Sequence, residues 1–209
     1  MKRKIIEILF TPVVFSLLAT AFILWVLSFT SCTKRRTLVV NPSQLKMEEA
    51  LQYAKSNKMD TTVCILVDFS QPSHVQRMSV IDLQTKSIIS RGQVSHGMGT
   101  THFSIKPRFS NIVGSHLSSL GKYRIGDRGW STWGIHVKYL LHGLEPTNSN
   151  ALKRNVVLHS WEAIPDEIDR RRPRAAAQGY GCPAVSNKYM KHLDKVLSHK
   201  KNVLLWIFK

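Results

Sequence analysis

Residues 154–186 constrain the fold more than any other part of the chain. They open with an apolar segment, Val156–Leu158, which ends in His159, and they close with the loop Gly179–Cys182. A cysteine thiol is a weak nucleophile at neutral pH until a base or a positive field assists it, and a neighbouring histidine supplies that base. Because His159 and Cys182 are far apart in the sequence, only a fold that joins the strand to the loop can pair them.

The two glycines of this loop indicate a tight turn that another segment approaches closely. Free backbone N–H groups in such a turn can bind an oxyanion. We therefore assign Gly179, Tyr180 and Gly181 to an oxyanion-binding loop, and we add Ser160, which follows the histidine.

An ordered series of further motifs accompanies this pair. They are Ser95–Thr100, Phe109–Asn111, Ser118–Tyr123, His142–Glu145, Asn150–Ala151, Arg154, Val157–His159 and the Gly-Cys-Pro-Ala-Val loop at Cys182. Together they resemble the L,D-transpeptidase family, which has the YkuD-like fold, in the branch that carries a Gly-Cys-Pro-Ala-Val cysteine loop. The resemblance covers residues 60–209.

The resemblance implies a mainly β fold, a YkuD-like β-sandwich or partial barrel with flanking helices. It also implies cysteine acyl transfer on peptidoglycan stem peptides, with Cys182 as the nucleophile and His159 as the general base. No cofactor is implied. The remaining histidines lack metal-ligand spacing, so no metal site is expected. Carbapenems acylate working members of the family.

Five residues are candidates for substrate binding, each with a structural alternative. His96 borders the site or closes a hairpin. Asn111 and Ser119 bind peptide amides or satisfy the backbone of their own loop. Arg154 and Arg174 attract a substrate carboxylate; otherwise Arg154 pairs with Glu145 or Glu162, and Arg174 lies on a solvated face.

Two positions depart from the family pattern. Gly179 stands where the family usually has serine, and Ala184 stands where the wider family has arginine. The sequence leaves three activities open: transpeptidation, L,D-carboxypeptidation if water resolves the thioester, and peptidoglycan binding without turnover.

The chain is strongly basic, with a formal net charge of +17 and a pI of about 10.2. Such a surface favours polyanions, which include cell-wall polymers, acidic lipids and nucleic acids. No nucleic-acid-binding motif is present, so we expect no nucleic-acid partner. A basic adaptor at a membrane surface is a third class of function, and we expect a monomer.

Residues 1–36 read as a membrane anchor or a lipoprotein signal. No charged residue occurs between Ile8 and Thr33, a run long enough to cross a bilayer. The alternative places Cys32 in a loose lipobox, Phe29–Cys32. Either reading, with the family resemblance, predicts a bacterial cell-envelope protein whose domain lies on the periplasmic side of the cytoplasmic membrane.

Residues 37–59 are interpreted as a linker and a helix that ends near Lys58, and residues 60–209 as the catalytic domain. A second helix is expected over Ser186–Leu197, a turn at Gly126–Gly129, a helical turn within Glu145–Arg154 and a groove-lining loop over Thr100–Ser119. Cys64 is expected to be a small buried apolar residue. Strands are predicted at Thr61–Phe69, Gln76–Asp82, Ser87–Ser95, Tyr123–Ile125, Gly134–Leu141, Val156–His159 and Val203–Phe208.

Overall fold

The structure is a computed structural model that describes residues 42–100, 106–167 and 178–209. Its elements are two helices, α1 (Pro42–Ser56) and α2 (Asn187–Leu197), a 3-10 turn at Pro146–Asn148, and eight strands. The strands are β1 (Val63–Asp68), β2 (Met78–Asp82), β3 (Ser87–Gly92), β4 (Gly121–Trp130), β5 (Val137–Gly143), β6 (Val157–Ser160), β7 (Ala184–Val185) and β8 (Val203–Phe208).

All eight strands belong to one sheet with the order β3-β2-β1-β8-β4-β5-β6-β7. Most neighbours are antiparallel, whereas β1–β8 and β6–β7 are parallel. The chain after β3 returns to β7, where the Ser95 N–H donates to the Ala184 carbonyl at 2.8 Å. The sheet therefore curls into a nearly closed barrel, and the partial-barrel form of the prediction is confirmed rather than the two-sheet sandwich.

The predicted turn at Gly126–Gly129 is wrong, because β4 continues through it to Trp130. The pairing of β4 with β5 shifts register between Ile125 and Arg128, which marks a β-bulge. Glycine and aspartate suit a bulge as well as a turn, and a side chain at Gly126 would collide with the ring of His142. Pairing with β5 decides between the two outcomes, and that pairing is not visible in the local sequence.

The two helices flank the sheet, as predicted. α2 begins after Ser186, whose hydroxyl accepts the Tyr189 N–H, and it buries Met190, Leu193 and Leu197 against the main core. α1 packs its own small cluster, which includes Ala50 and Ala54, against β8. α2 packs against β6, the strand that carries His159, and α1 packs against β8.

The chain separates into two units, Met1–Val40 and Asn41–Lys209. The predicted membrane anchor at residues 8–33 and the predicted lipidation site Cys32 lie outside the described residues. Within the ranges that the structure describes, no helix is both long enough and apolar enough to span a bilayer.

Candidate active site

The parallel pair β6–β7 brings the predicted nucleophile and base to one edge of the barrel. His159 lies opposite Ala184 in the register, and Cys182 immediately precedes β7. The Cys182 Sγ accepts the Val157 N–H at 3.4 Å and lies 3.7 Å from the Asn155 carbonyl oxygen. The cysteine thus lies beside the start of β6, and the histidine lies two residues further along that strand.

The hydrogen bonding of His159 defines which ring nitrogen can act as a base. Its Nδ1 lies 2.9 Å from the carbonyl oxygen of Ser160, which can only accept a hydrogen bond. Nδ1 therefore carries the proton, and Nε2 has the free lone pair. Burial lowers the pKa of His159 below its ordinary value, so the imidazole is neutral at physiological pH.

The Ser160 side chain has a separate role at the end of β6. Its buried hydroxyl accepts the N–H of Ile135 at 2.9 Å. This bond joins the tip of the β4–β5 hairpin to the residue whose carbonyl holds His159. Ser160 therefore supports the base, and it makes no contact of this kind with the cysteine loop in the described structure.

The thiol of Cys182 is protonated in the resting protein. Burial raises its pKa, and this effect exceeds the opposing contributions of the Val157 N–H and of the positive charges on Arg154 and Lys138. A neutral thiol and a neutral imidazole therefore coexist before substrate arrives. The proton has to move to His159 during attack on the substrate.

The two glycines of the loop differ in what they require. Gly181 has a φ of +106°, and a Cβ at that position would lie 2.6 Å from the Leu117 carbonyl oxygen and 3.0 Å from an Arg154 nitrogen. Gly179 has no atom of the described residues within 4 Å of its Cβ position, and its φ lies outside the left-handed range. Glycine is therefore needed at 181, whereas the space at 179 accepts the family serine.

Two buried serines hold the peptide groups on either side of the cysteine. The Ser118 hydroxyl donates to the Gly181 carbonyl at 3.2 Å, and the Ser95 hydroxyl donates to the Cys182 carbonyl at 3.3 Å. The same hydroxyls accept the N–H groups of Gly97 and Ala184, each at 3.0 Å. Sequence reasoning missed these roles, although both serines lie within the motifs that carried the family resemblance.

The cysteine loop also contains backbone N–H groups that are not used in these contacts. Within the part of the chain that the structure describes, the N–H groups of Tyr180, Gly181 and Cys182 have no hydrogen-bond acceptor. The Tyr180 side chain is 70 % exposed, and its ring centroid lies 4.7 Å from that of His116. The N–H groups are thus available to a bound oxygen atom.

His96 lies beneath the cysteine loop and is fully buried. Its Nδ1 accepts a hydrogen bond from the buried Arg77 guanidinium at 2.9 Å, so this imidazole carries its proton on the other nitrogen. Its carbonyl oxygen accepts the Gly179 N–H at 3.2 Å. These contacts position the loop, and direct contact of His96 with substrate stays a prediction.

Asn111 joins its loop to the 3-10 turn at Pro146–Asn148. Its side-chain amide donates to the Pro146 carbonyl at 2.9 Å and to the Ser149 hydroxyl at 3.0 Å, and its side-chain oxygen accepts the Asn150 N–H. These bonds are structural, but they go to another segment and not, as the structural alternative predicted, to the backbone of its own loop. Its predicted contact with substrate is not tested by them.

Arg154 connects the same loop to the cysteine. Its guanidinium donates to the carbonyl of Ser110 at 2.9 Å, to the carbonyl of Leu117 and to the hydroxyl of Ser119. Among the described residues it forms no ion pair, and Glu145 pairs with Lys122 instead, at 2.7 Å. The substrate-binding predictions for Ser119 and Arg154 remain open, and Arg174 lies outside the described residues.

Lys138 is a cation near the site that sequence reasoning missed. It lies on β5 directly opposite His159 in the antiparallel β5–β6 pair. Strand pairing alone brings it there, so no local signal identifies it.

Elsewhere, Cys64 is fully buried as predicted, and burial raises its pKa to about 12. The described ranges contain no cluster of three or more histidine, cysteine or acidic residues that could hold a metal ion.

Comparison with known proteins identifies the family. Residues 35–207 match the family model for the L,D-transpeptidase catalytic domain. Because the match covers most of the sequence, the chain belongs to the L,D-transpeptidase catalytic domain family. No curated protein matches the chain. The predicted family is thus confirmed, and the assignment to the branch with the Gly-Cys-Pro-Ala-Val loop stays a prediction.

Solved structures with similar folds include three from bacteria. An L,D-transpeptidase from Xylanimonas cellulosilytica has 12% identity and a TM-score of 0.42, with 75% of this chain and 68% of that chain covered. The helical cell shape determining protein of Campylobacter jejuni has 13% identity and a TM-score of 0.47, with coverage of 79% and 56%. An L,D-transpeptidase from Mycobacterium smegmatis has 11% identity and a TM-score of 0.41, with coverage of 71% and 59%.

Proposed function

We propose that the protein is a cysteine acyl transferase that acts on peptidoglycan stem peptides as an L,D-transpeptidase. The observation that carries the proposal is the Nδ1 hydrogen bond of His159 to the Ser160 carbonyl. It leaves Nε2 as a base on the strand beside Cys182. Membership of the family supports a peptidoglycan substrate.

In the first half-reaction, Nε2 of His159 accepts the thiol proton as Sγ of Cys182 attacks the carbonyl carbon between an L-centre and the terminal D-amino acid. The carbonyl oxygen becomes an oxyanion, which the N–H groups of Tyr180, Gly181 and Cys182 stabilise. The C–N bond then breaks, and the leaving amine takes the proton from His159. The product is a thioester on Cys182.

In the second half-reaction, an acceptor amine attacks the thioester. Its proton passes to Nε2 of His159, and the thiol recovers this proton as the C–S bond breaks. The new amide is a crosslink. If water is the acceptor, the same steps give a trimmed peptide and the enzyme is an L,D-carboxypeptidase.

The structure favours catalysis over binding without turnover. The main argument for a binding module is Gly179 in place of the family serine. The Gly179 backbone nevertheless keeps the loop in register, since its N–H donates to the His96 carbonyl and its carbonyl accepts the Met98 N–H at 3.0 Å. Ser95 and Ser118 hold the cysteine peptide without any side chain at 179.

We also propose that the enzyme works in the bacterial cell envelope, on the periplasmic side of the cytoplasmic membrane. The support is the uncharged run from Ile8 to Thr33 and the substrate of the family. Residues 1–36 then serve as an anchor helix or as a lipoprotein signal with Cys32 as the lipidated residue.

Product analysis tests the function. The full-length protein in detergent is incubated with a disaccharide-tetrapeptide, with and without an acceptor stem peptide, and the products are identified by mass spectrometry. A crosslinked dimer that the Cys182→Ala variant does not form supports transpeptidation, and a tripeptide without dimer supports carboxypeptidation. If neither product forms, the Gly179→Ser variant is tested next. If that variant is also inactive, peptidoglycan binding without turnover is the function that is left.

A further inference from the structure

Lys138 and His159 face each other across the β5–β6 pair. They are direct partners in the antiparallel register, so their side chains point to the same face of the sheet. Residues paired in this way have Cβ atoms about 5 Å apart. A lysine side chain is long enough to place its ammonium group beside the imidazole of its partner.

The aliphatic stem of Lys138 packs on a glycine of the neighbouring strand β4. The next residue in the same row of the sheet is Gly129, which pairs with Lys138 in the β4–β5 register. A Cβ at Gly129 would lie 3.8 Å from the Lys138 Cε, so the lysine stem lies over the glycine. The stem therefore packs against the sheet on the β4 side of β5.

In the part of the chain that the structure describes, no carboxylate neutralises the charge of Lys138. Among the described residues it has no hydrogen-bond acceptor and no ion-pair partner, although it is half-buried. Two other half-buried lysines, Lys122 and Lys200, each pair with a carboxylate. A half-buried cation without a counter-charge indicates that an anion arrives from outside.

The charge of Lys138 also acts on the two reacting groups. It lowers the pKa of His159, whereas Glu162 raises that pKa with an effect at least as large. Lys138 also helps to lower the pKa of Cys182, which favours the thiolate. An anion bound at Lys138 would offset its unfavourable effect on the imidazolium that forms when Cys182 attacks.

We propose that Lys138 binds the terminal carboxylate of the donor stem peptide and thereby selects donors whose scissile bond is the last one in the peptide. This inference rests on the proposed function. In the leaving D-amino acid the carboxylate is one carbon away from the amine that His159 protonates. The two groups are therefore only about 3 Å apart by standard bond lengths.

The distances agree with this assignment. A base in hydrogen-bond contact with the leaving amine lies about 3 Å from it, and a lysine that binds the carboxylate lies about 2.8 Å from an oxygen. The ammonium group then has to lie within about 9 Å of the imidazole, even along the most extended path. A directly opposed cross-strand pair meets this requirement.

The test compares two donors and three variants of the full-length protein. One donor tetrapeptide ends in a free carboxylate, and the other ends in a primary amide. Their kcat/KM values are measured with the wild-type protein, with Lys138→Met and with Lys138→Arg. Methionine keeps an unbranched apolar stem over Gly129, and arginine keeps the charge. Lys195→Met, a change at an exposed lysine on α2, controls for the loss of one positive charge.

The expected result is that Lys138→Met lowers kcat/KM by about 10- to 100-fold for the carboxylate donor, the range for one charge-assisted hydrogen bond. The amide donor is affected much less, so the preference for carboxylate disappears, and Lys138→Arg retains it. Equal losses for both donors would overturn the assignment, because they would mean that Lys138 acts only through its field on His159 and Cys182.

A binding measurement separates this inference from the proposed function. In the Cys182→Ala background, calorimetry measures the affinity of the carboxylate and amide peptides with and without Lys138→Met. Preference for the carboxylate that depends on Lys138 supports the inference even if turnover is absent. Preference that survives Lys138→Met, or no preference at all, overturns it. A wild-type protein that binds the carboxylate peptide but releases no product contradicts the proposed function alone.

Discussion

Replacing Gly181 by alanine, with Gly179→Ala as the matched control, tests the structure of the cysteine loop. At 181 the φ of +106° belongs to a region that residues with a side chain rarely adopt, and holding alanine there costs about 1–3 kcal/mol. The new Cβ would also lie 2.6 Å from a backbone oxygen, that of Leu117, and relieving this overlap costs a further 1–3 kcal/mol or so. We expect a total loss of about 2–6 kcal/mol.

The control variant Gly179→Ala is expected to stabilise the protein rather than destabilise it. At Gly179 a methyl group meets no atom of the described residues within 4 Å, and the backbone needs no left-handed conformation. Removing a glycine then reduces the entropy of the unfolded chain and stabilises the protein by about 0.4–1 kcal/mol. The two loop glycines are separated by one residue, so differences in their general surroundings are small.

Urea denaturation measures both effects. With a slope of about 2 kcal/mol per molar urea, Gly181→Ala should lower the midpoint by about 1–3 M, whereas Gly179→Ala should leave it unchanged or raise it slightly. Carbapenem acylation, followed by intact mass, should be lost or slowed in the first variant and kept in the second. Equal midpoints for the two variants would refute the geometry assigned to the loop.

Protonation and packing around the site make three other outcomes testable. Because burial holds the pKa of His159 below 6.5 while that of Cys182 is raised, the acylation rate should rise with pH to a half-maximum below pH 6.5; a midpoint above pH 7 would argue against His159 as the base. Arg154→Met removes a charge and three hydrogen bonds to the loop before β4, so it should slow acylation and lower the free energy of unfolding by about 2–4 kcal/mol in urea denaturation. An unchanged acylation rate and an unchanged stability would contradict the role of Arg154 in holding this loop. Arg77→Met removes the donor to His96, and NMR of the histidine nitrogens should show loss of the Nδ1 hydrogen bond together with a stability loss of about 2–4 kcal/mol; a tautomer and midpoint like those of the wild type would reject that contact.

Elements whose signals are local were predictable from the sequence. The bounds of β8 (Val203–Phe208) agree with the prediction, because an unbroken apolar run defines a buried strand at both ends. The extent of α2 was predicted, because an amphipathic segment that follows a serine is a local signal. The sequence also predicted the family to which the chain belongs, and it named the strand and loop residues that the fold brings to one edge of the barrel.

Features that depend on long-range pairing were not predictable. The register between β4 and β5 turns the expected turn into a bulge. Arg154 donates hydrogen bonds to the Ser110 and Leu117 carbonyls, which are far from it in the sequence, and no local sequence pattern indicates these contacts. The local sequence does not distinguish Lys138 from any other polar residue on a strand, and only its pairing with His159 brings it to the site.

Peptide mapping of the protein after exposure to a carbapenem tests whether acyl transfer takes place at Cys182. We expect one adduct, on the peptide that contains Cys182, and no adduct in the Cys182→Ser variant. Cys64 serves as an internal control, because it is fully buried and its pKa is raised to about 12. An adduct on Cys32 or Cys64 that persists in the variant, or a folded wild-type protein without any adduct, would contradict acyl transfer through Cys182.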